Sequence, residues 1–257
     1  MTDTHCHLSF PELYNQIDEI TRSDLKMITV GVDLADSKKC VEIAEKYENV
    51  WASVGIHPIG AKTGKQNEQE LKQIEELLKN KKVIAIGEVG LDDKEKLIEL
   101  DDQIILLKKF IALAIKNEKP LILHSRGSGN MDKIIDLLTT FHLQGGKLVR
   151  DKLRGVLHCF TGSVKQAKKL VELGFKIGLT NIVVNCTDYD SLIRAIDLKN
   201  ILLETDAPYL APKILQTKIN LPENVRFVAE KIAKIKNIDI LIVEQTTDKS
   251  ARELFGI

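Results

Sequence analysis

The sequence predicts an α/β fold: a single (β/α)8 TIM barrel spanning residues 1–257. Three observations lead there. Short β-branched or apolar runs alternate with longer amphipathic stretches, and parallel strands need such crossovers. The number of alternations, set against a length of 257 residues, suits a closed barrel. An open doubly wound sheet would usually carry a Gly-rich phosphate loop after its first strand, and Cys6–His7–Leu8–Ser9 is not one.

The elements follow in chain order. The candidate strands are Thr2–Cys6, Met27–Val32, Val50–Ile56, Val83–Gly87, Leu121–His124, Gly155–His158, Lys176–Thr180 and Ile201–Thr205. Helical patterns between them include Ser37–Tyr47, Glu68–Lys79, Asp101–Lys116, Met131–Thr139 and Val164–Leu173. Leu71, Ile74, Leu77 and Leu78 recur at i, i+3 and i+6/i+7, the apolar stripe of a helix lying on a sheet. No shift in composition marks a domain boundary.

With 44% hydrophobic and 29% charged residues, Gly 15 and Pro 6, the chain reads as an ordinary globular protein. Lys plus Arg and Asp plus Glu are each 37, so the formal charge is zero. That argues against duplex DNA gripped along a basic face, though not against nucleic acid held at one local site. Cys6, Cys40, Cys159 and Cys186 form no Cys-x-x-Cys pair, which removes support for a zinc finger or a thioredoxin-type centre. The Met-Thr-Asp-Thr-His-Cys-His start has neither a basic nor an apolar leader region, and apolar runs such as Ile104–Leu107 are too short for a bilayer. The expectation is a cytoplasmic monomer without a membrane partner.

The residues at the strand ends carry the chemistry. His5 and His7 follow the first strand, His57 the third, Glu88 the fourth, His124 the fifth, His158 the sixth, Asn181 the seventh and Asp206 the eighth. The C-terminal face of a barrel is where catalytic loops gather. Of the six histidines, His142 alone stands elsewhere, with a structural role expected on a surface segment. Strand alternation puts His5 and His7 on one face. It groups Ile84, Ile86 and Glu88, Ile122 with His124, and Val156 with His158. Asp3 and Glu204 fall on the same faces one layer deeper, where they could orient ligands. Cys6 and Cys159 should face the helices and bind no metal.

One strand-end histidine would ordinarily be just a hydrogen-bonded residue. Converging carboxylates that lose hydration, however, repel each other unless a cation joins them. Imidazole with carboxylate suits Zn²⁺, Mn²⁺, Fe²⁺ or, less well, Mg²⁺. His5, His7, Glu88, His124, His158 and Asp206 exceed the roughly three protein ligands of an open catalytic zinc and suit two metals about 3.5–4 Å apart.

Six segments resemble the TatD family of metal-dependent deoxyribonucleases, within the amidohydrolase superfamily. They are Asp-Thr-His-Cys-His-Leu at 3–8, Gly-Ile-His-Pro at 55–58, Gly-Glu-Val-Gly-Leu-Asp at 87–92, Leu-His-Ser-Arg at 123–126, His-Cys-Phe-Thr-Gly-Ser at 158–163 and Glu-Thr-Asp-Ala-Pro-Tyr-Leu-Ala-Pro at 204–212. The resemblance implies a barrel with two divalent ions, Mg²⁺ or Mn²⁺ ahead of Zn²⁺, that cleaves DNA phosphodiesters, often from a 3′ end and on single strands. It puts His5, His7 and Asp206 on one metal, His124 and His158 on the other, Glu88 between them, and His57 and Arg126 beside the substrate phosphate. Departures from the family pattern include Ile59, Gly127 and the segment Lys213–Pro222, which lacks the family's arginines.

With two metals loaded the site would sum to about +1, favouring an anionic phosphodiester. The expected mechanism has a metal-bridging hydroxide as nucleophile, Glu88 holding the pair, Asp206 relaying the proton and Arg126 steadying phosphoryl charge. The alternatives are hydrolysis of a small ester, amide or lactone, and a non-catalytic scaffold. Intact ligands count against the scaffold.

Overall fold

The computed structural model describes residues 1–60, 65–94, 98–144 and 146–257. Eight strands pair in chain order in one sheet: β1 (Thr2–Cys6), β2 (Lys26–Val30), β3 (Val50–Val54), β4 (Val83–Asp92), β5 (Leu121–Arg126), β6 (Gly155–Leu157), β7 (Phe175–Leu179) and β8 (Ile201–Leu203). Every neighbouring pair is parallel. The ring closes just past the end of β8. Thr4 Oγ1 donates to the Leu203 carbonyl at 3.0 Å. Asp206 N–H donates to the His5 carbonyl at 2.9 Å, and His7 N–H donates to the Ala207 carbonyl at 2.8 Å. The bonds that close the barrel thus also set two of the predicted ligands beside a third.

Helices Leu34–Lys46, Lys65–Leu77, Leu100–Asn117, Asn130–Gln144 and Val164–Glu172 match the predicted stretches within a few residues, and Val225–Lys236 and Ile240–Phe255 follow β8. Local chemistry starts them. Asp33 accepts from Asp36 N–H at the first, and Ser163 with Gln166 forms a full capping box at the fifth.

The core has two layers. The larger lies between strands and helices, with Val54, Ile86, Leu123, Phe110 and Leu157 among its members. The smaller fills the lumen with Ile28, Val30, Ile122, Val156 and Leu202, and Ala251, Leu254 and Phe255 of the last helix join it. That helix is tied to the strand starts: Ser250 Oγ donates to the Lys199 carbonyl, and Asp248 pairs with the Met1 amino group at 3.1 Å. The bottom of the barrel is therefore plugged, and the top is left to the site.

Two expectations fail here. Ile84, Ile86 and Glu88 do not share a face, since Ile84 and Ala85 belong to the lumen cluster and Ile86 to the outer one. Register shifts against β3 at Ala52/Ser53 and against β5 between Ile86 and Val89 are responsible, because each extra residue reverses the alternation. His142 lies not on a surface segment but buried within helix Asn130–Gln144.

Candidate metal centre

All the predicted ligands gather at the C-terminal ends of the strands. His5 Nε2 lies 3.4 Å from Glu88 Oε2 and 3.7 Å from Asp206 Oδ1. His7 Nε2 lies 3.4 Å and His158 Nε2 3.6 Å from the same Asp206 oxygen. His124 Nδ1 stands 2.6 Å from Glu88 Oε1, which is 3.8 Å from His57 Nε2 and 4.0 Å from His158 Nε2. The rings of His5 and His158 stack at 3.4 Å between centroids.

The rings are aimed from behind. His7 Nδ1 is bonded to the Val30 carbonyl at 3.0 Å. His158 Nδ1 meets Glu204 Oε2 at 2.9 Å, and the same oxygen accepts from Cys159 N–H. Glu204 fits because residue 178 is glycine: a Cβ there would stand 2.2 Å from Glu204 Oε1. Asp3 accepts from Thr205 N–H at 2.9 Å and from His5 N–H at 3.3 Å. Asp206 itself sits at φ 57°, in the left-handed region that Asp tolerates better than most residues. The expectation that Asp3 and Glu204 lie behind the ligands is met in geometry.

Burial is the largest influence on each of these groups, and the neighbours decide its outcome. It opposes protonation of His124 and His158, but Glu88 and Asp92 raise His124 to about 9, while Glu204 and Asp206 raise His158 to about 10. It opposes protonation of His7 too, which Asp206 nevertheless lifts. His57 goes the other way, lowered by burial to about 4. His5 is also lowered by burial, with His158 adding to the effect. Burial pushes Glu88 and Asp206 up, yet the imidazoles hold both below the ordinary carboxylate range. Asp3 is raised by burial to about 8. Both site carboxylates are thus ionised at neutral pH, with protons on His124 and His158 partly balancing them.

The donor set fits divalent cations. Among the described residues, neither ring nitrogen of His5 has a hydrogen-bond partner although the side chain is fully buried, and Glu204 Oε1 lacks one as well. Buried polar atoms are seldom left so. Three groups bring their ligand atoms within 4.8 Å of one another: His5, His158 and Asp206; His5, His7 and Glu88; His57, Glu88 and His124. His57 also falls in one of these groups, and His158 groups with His5 and Asp206 while facing the same Glu88 oxygen as His124. Over the cluster opens a cavity of about 800 Å³, lined by Glu88, His124, Arg126, Asp206 and Tyr209 among others.

A family model described as TatD related DNase matches residues 2–256. The chain belongs to the TatD family. A 3′-5′ ssDNA/RNA exonuclease TatD of Edwardsiella piscicida is 32% identical, covering 90% of this chain and 88% of that protein. An uncharacterized metal-dependent hydrolase of Methanocaldococcus jannaschii is 31% identical over 98% of the chain and 96% of its own length. The crystal structure of the TatD homologue YjjV of Escherichia coli K12 superposes with a TM-score of 0.86 at 27% identity, covering 100% of this chain and 98% of that one. Among the described residues no helix is long and apolar enough to cross a membrane.

Against the TatD pattern, the remaining predicted residues divide. Arg126 is at the cavity, half exposed, with Nη1 3.9 Å from Asp92 Oδ2. Asn181 is fully buried and does not line the cavity. Cys6 faces the outer core as expected, but Cys159 lines the cavity. β6 ends at Leu157 and Cys159 lies at φ 46°, so strand alternation no longer governs it. Lys213 and Lys218 are exposed and outside the cavity wall.

Sequence reasoning missed Asp92. Its Oδ2 lies 3.1 Å from His124 Nε2, and the Gln103 side chain bonds both its backbone N–H and its carbonyl at 2.8 Å. The signal was present in the spacing, since Glu88, Gly90 and Asp92 share one face of a strand. Gly90 lets that strand close on β5: a Cβ there would come 1.9 Å from the His124 carbonyl oxygen.

Proposed function

We propose that the chain is a divalent-metal-dependent phosphodiesterase acting on DNA, a 3′-5′ exonuclease on single-stranded ends. The observation that carries the reading is the convergence of His7, Glu88, His124, His158 and Asp206 on one cavity, with buried His5 grouped among them and neither of its ring nitrogens hydrogen-bonded. These six would hold two ions, Mg²⁺ or Mn²⁺ ahead of Zn²⁺, with Glu88 between them, because its two oxygens face different imidazoles. Divalent cations in that place supply Lewis-acid polarisation of the phosphoryl oxygens and acidify water.

The chain's own groups do the rest. Asp206, ionised at neutral pH and bordered by His5, His7 and His158, receives the proton of the attacking water at Oδ1. Glu88 stays ionised and fixes the geometry. His57, neutral because burial holds it near 4, and Arg126 bind the phosphate's nonbridging oxygens, Arg126 as a charged donor.

The rival reading, hydrolysis of a small ester, amide or lactone, draws on the cavity lining. Among its described residues Arg126 is the one Lys or Arg side chain. A substrate panel separates the two. End-labelled single-stranded DNA and RNA should be shortened with Mg²⁺ or Mn²⁺ and left intact with chelator. Turnover of neutral esters, amides or lactones without nucleic-acid cleavage would replace the nuclease reading.

A further inference from the structure

We propose that Tyr209, backed by Phe10, is the platform on which the chain stacks an unpaired nucleobase beside the scissile phosphodiester, and that this contact selects single-stranded ends. The inference rests on the nuclease reading and assigns its strand selectivity to two side chains.

Tyr209 is 53% exposed yet stands on the cavity wall. Its loop is the one that carries Asp206, and Tyr209 N–H donates to the Asp206 carbonyl at 2.8 Å. The loop is clamped from beneath by buried Asn220. Its N–H donates to the Pro208 carbonyl at 2.9 Å and its Nδ2 to the Thr205 carbonyl at 3.0 Å. The ring is therefore open to solvent on a fixed backbone.

It is also part of a continuous aromatic wall. Tyr209 meets Phe10 edge-on at 6.1 Å and 85°, and His7 at 6.1 Å and 72°. Phe10 lies flat on His7 at 4.8 Å and 15°. A single exposed aromatic elsewhere on the surface would need no explanation. This one extends outwards from His7, a candidate metal ligand, along the cavity wall.

A base can lie on that wall only when one of its faces is free, which a base inside a duplex does not offer. Stacking is indifferent to sequence because every base has a π-face. The charges agree. Asp33, Glu88, Asp92 and Asp206 line the cavity with Arg126 the sole Lys or Arg among the described lining residues. The loop after β8 exposes Ile214, Leu215 and Ile219. Among the described lining residues flanking phosphates meet few cations, which leaves stacking and apolar contact to carry binding beyond the scissile group.

The test compares two single-stranded oligonucleotides of one sequence, one ending 3′ in a normal nucleotide and one in an abasic residue, with Mn²⁺-loaded protein. Wild type should show a KM roughly 5- to 150-fold higher for the abasic end, the range expected for one base–aromatic stack, with kcat nearly unchanged. Tyr209→Ala should raise KM by a similar factor for the normal end and abolish the difference between ends. Tyr209→Phe should keep it. As a binding readout, an oligonucleotide with a terminal 2-aminopurine and a phosphorothioate last linkage should lose fluorescence on wild type and much less on Tyr209→Ala.

Equal KM for the two ends in wild type, or a Tyr209→Ala effect equal on both ends, would overturn the stacking while leaving the nuclease reading intact. Cleavage of neither oligonucleotide by loaded wild type would remove the nuclease reading, and this inference with it.

Discussion

Glu204 has no exposed side-chain surface, yet one of its oxygens sets how His158 meets the site. Partners of this kind fix an imidazole's tautomer and orientation. Glu204→Gln is therefore expected to lower metal affinity by about 10- to 100-fold, read by titration against a competing chelator, with the fold retained. The protons on His124 and His158 give a second expectation. Their values of about 9 and 10 mean that the metal-free site is protonated at pH 7, and a cation must displace those protons. Metal binding should release protons at pH 7, seen as a buffer-dependent heat in calorimetry, and affinity should rise as pH approaches 9. The linkage has the opposite sign for the metal-free fold. Stability from these raised histidines is fully present below their unfolded value near 6.5 and is lost as pH rises through 9 to 10. At this scale the gathering of the candidate ligands was legible because His, Glu and Asp stand at strand ends. Asp92 was not, because the predicted strand stopped at Gly87 and left it in a loop.

Among the elements, β1 and β8 matter most, since their junction both closes the ring and joins His5 and His7 to Asp206. Thr205 holds that junction. Its Oγ1 is bonded to Asp3 Oδ2 and accepts from Ala207 N–H. Thr205→Val keeps the shape and leaves both partners buried and unsatisfied, so a loss of about 2 kcal/mol is expected in urea unfolding. A change under about 0.5 kcal/mol would place it with ordinary surface substitutions and deny the junction its role. Strand number and order were readable from the alternation of short apolar runs with amphipathic stretches. The interior of β4 was not. A register shift depends on how three strands pair, and one strand's own residues carry no trace of it. Cys159 failed for a related reason: the rule applied to it holds only while the chain remains a strand.

For the whole molecule, zero formal charge and a cavity with one Arg side chain among its described lining residues imply a weak electrostatic grip on long polyanions. Each phosphate contact contributes a salt slope of about 0.7 on single strands. KM for single-stranded DNA should thus vary shallowly with salt, and Lys213→Ala with Lys218→Ala should change it little, since both side chains stand away from the cavity wall. A steep slope that the double variant flattens would mean that the altered segment grips DNA after all. The barrel followed from the alternation of short runs and amphipathic stretches and the gathering of His, Glu and Asp from strand ends, whereas the lining's charge balance emerged only when distant loops were assembled. The central claim is a two-metal centre at that cavity, and anomalous diffraction from Mn²⁺-soaked crystals tests it most directly. Two peaks about 3.5–4 Å apart, held by His5, His7, Glu88, His124, His158 and Asp206 with Glu88 between them, are the expected result. A single peak, or these side chains splayed beyond about 2.6 Å from any ion, would contradict it.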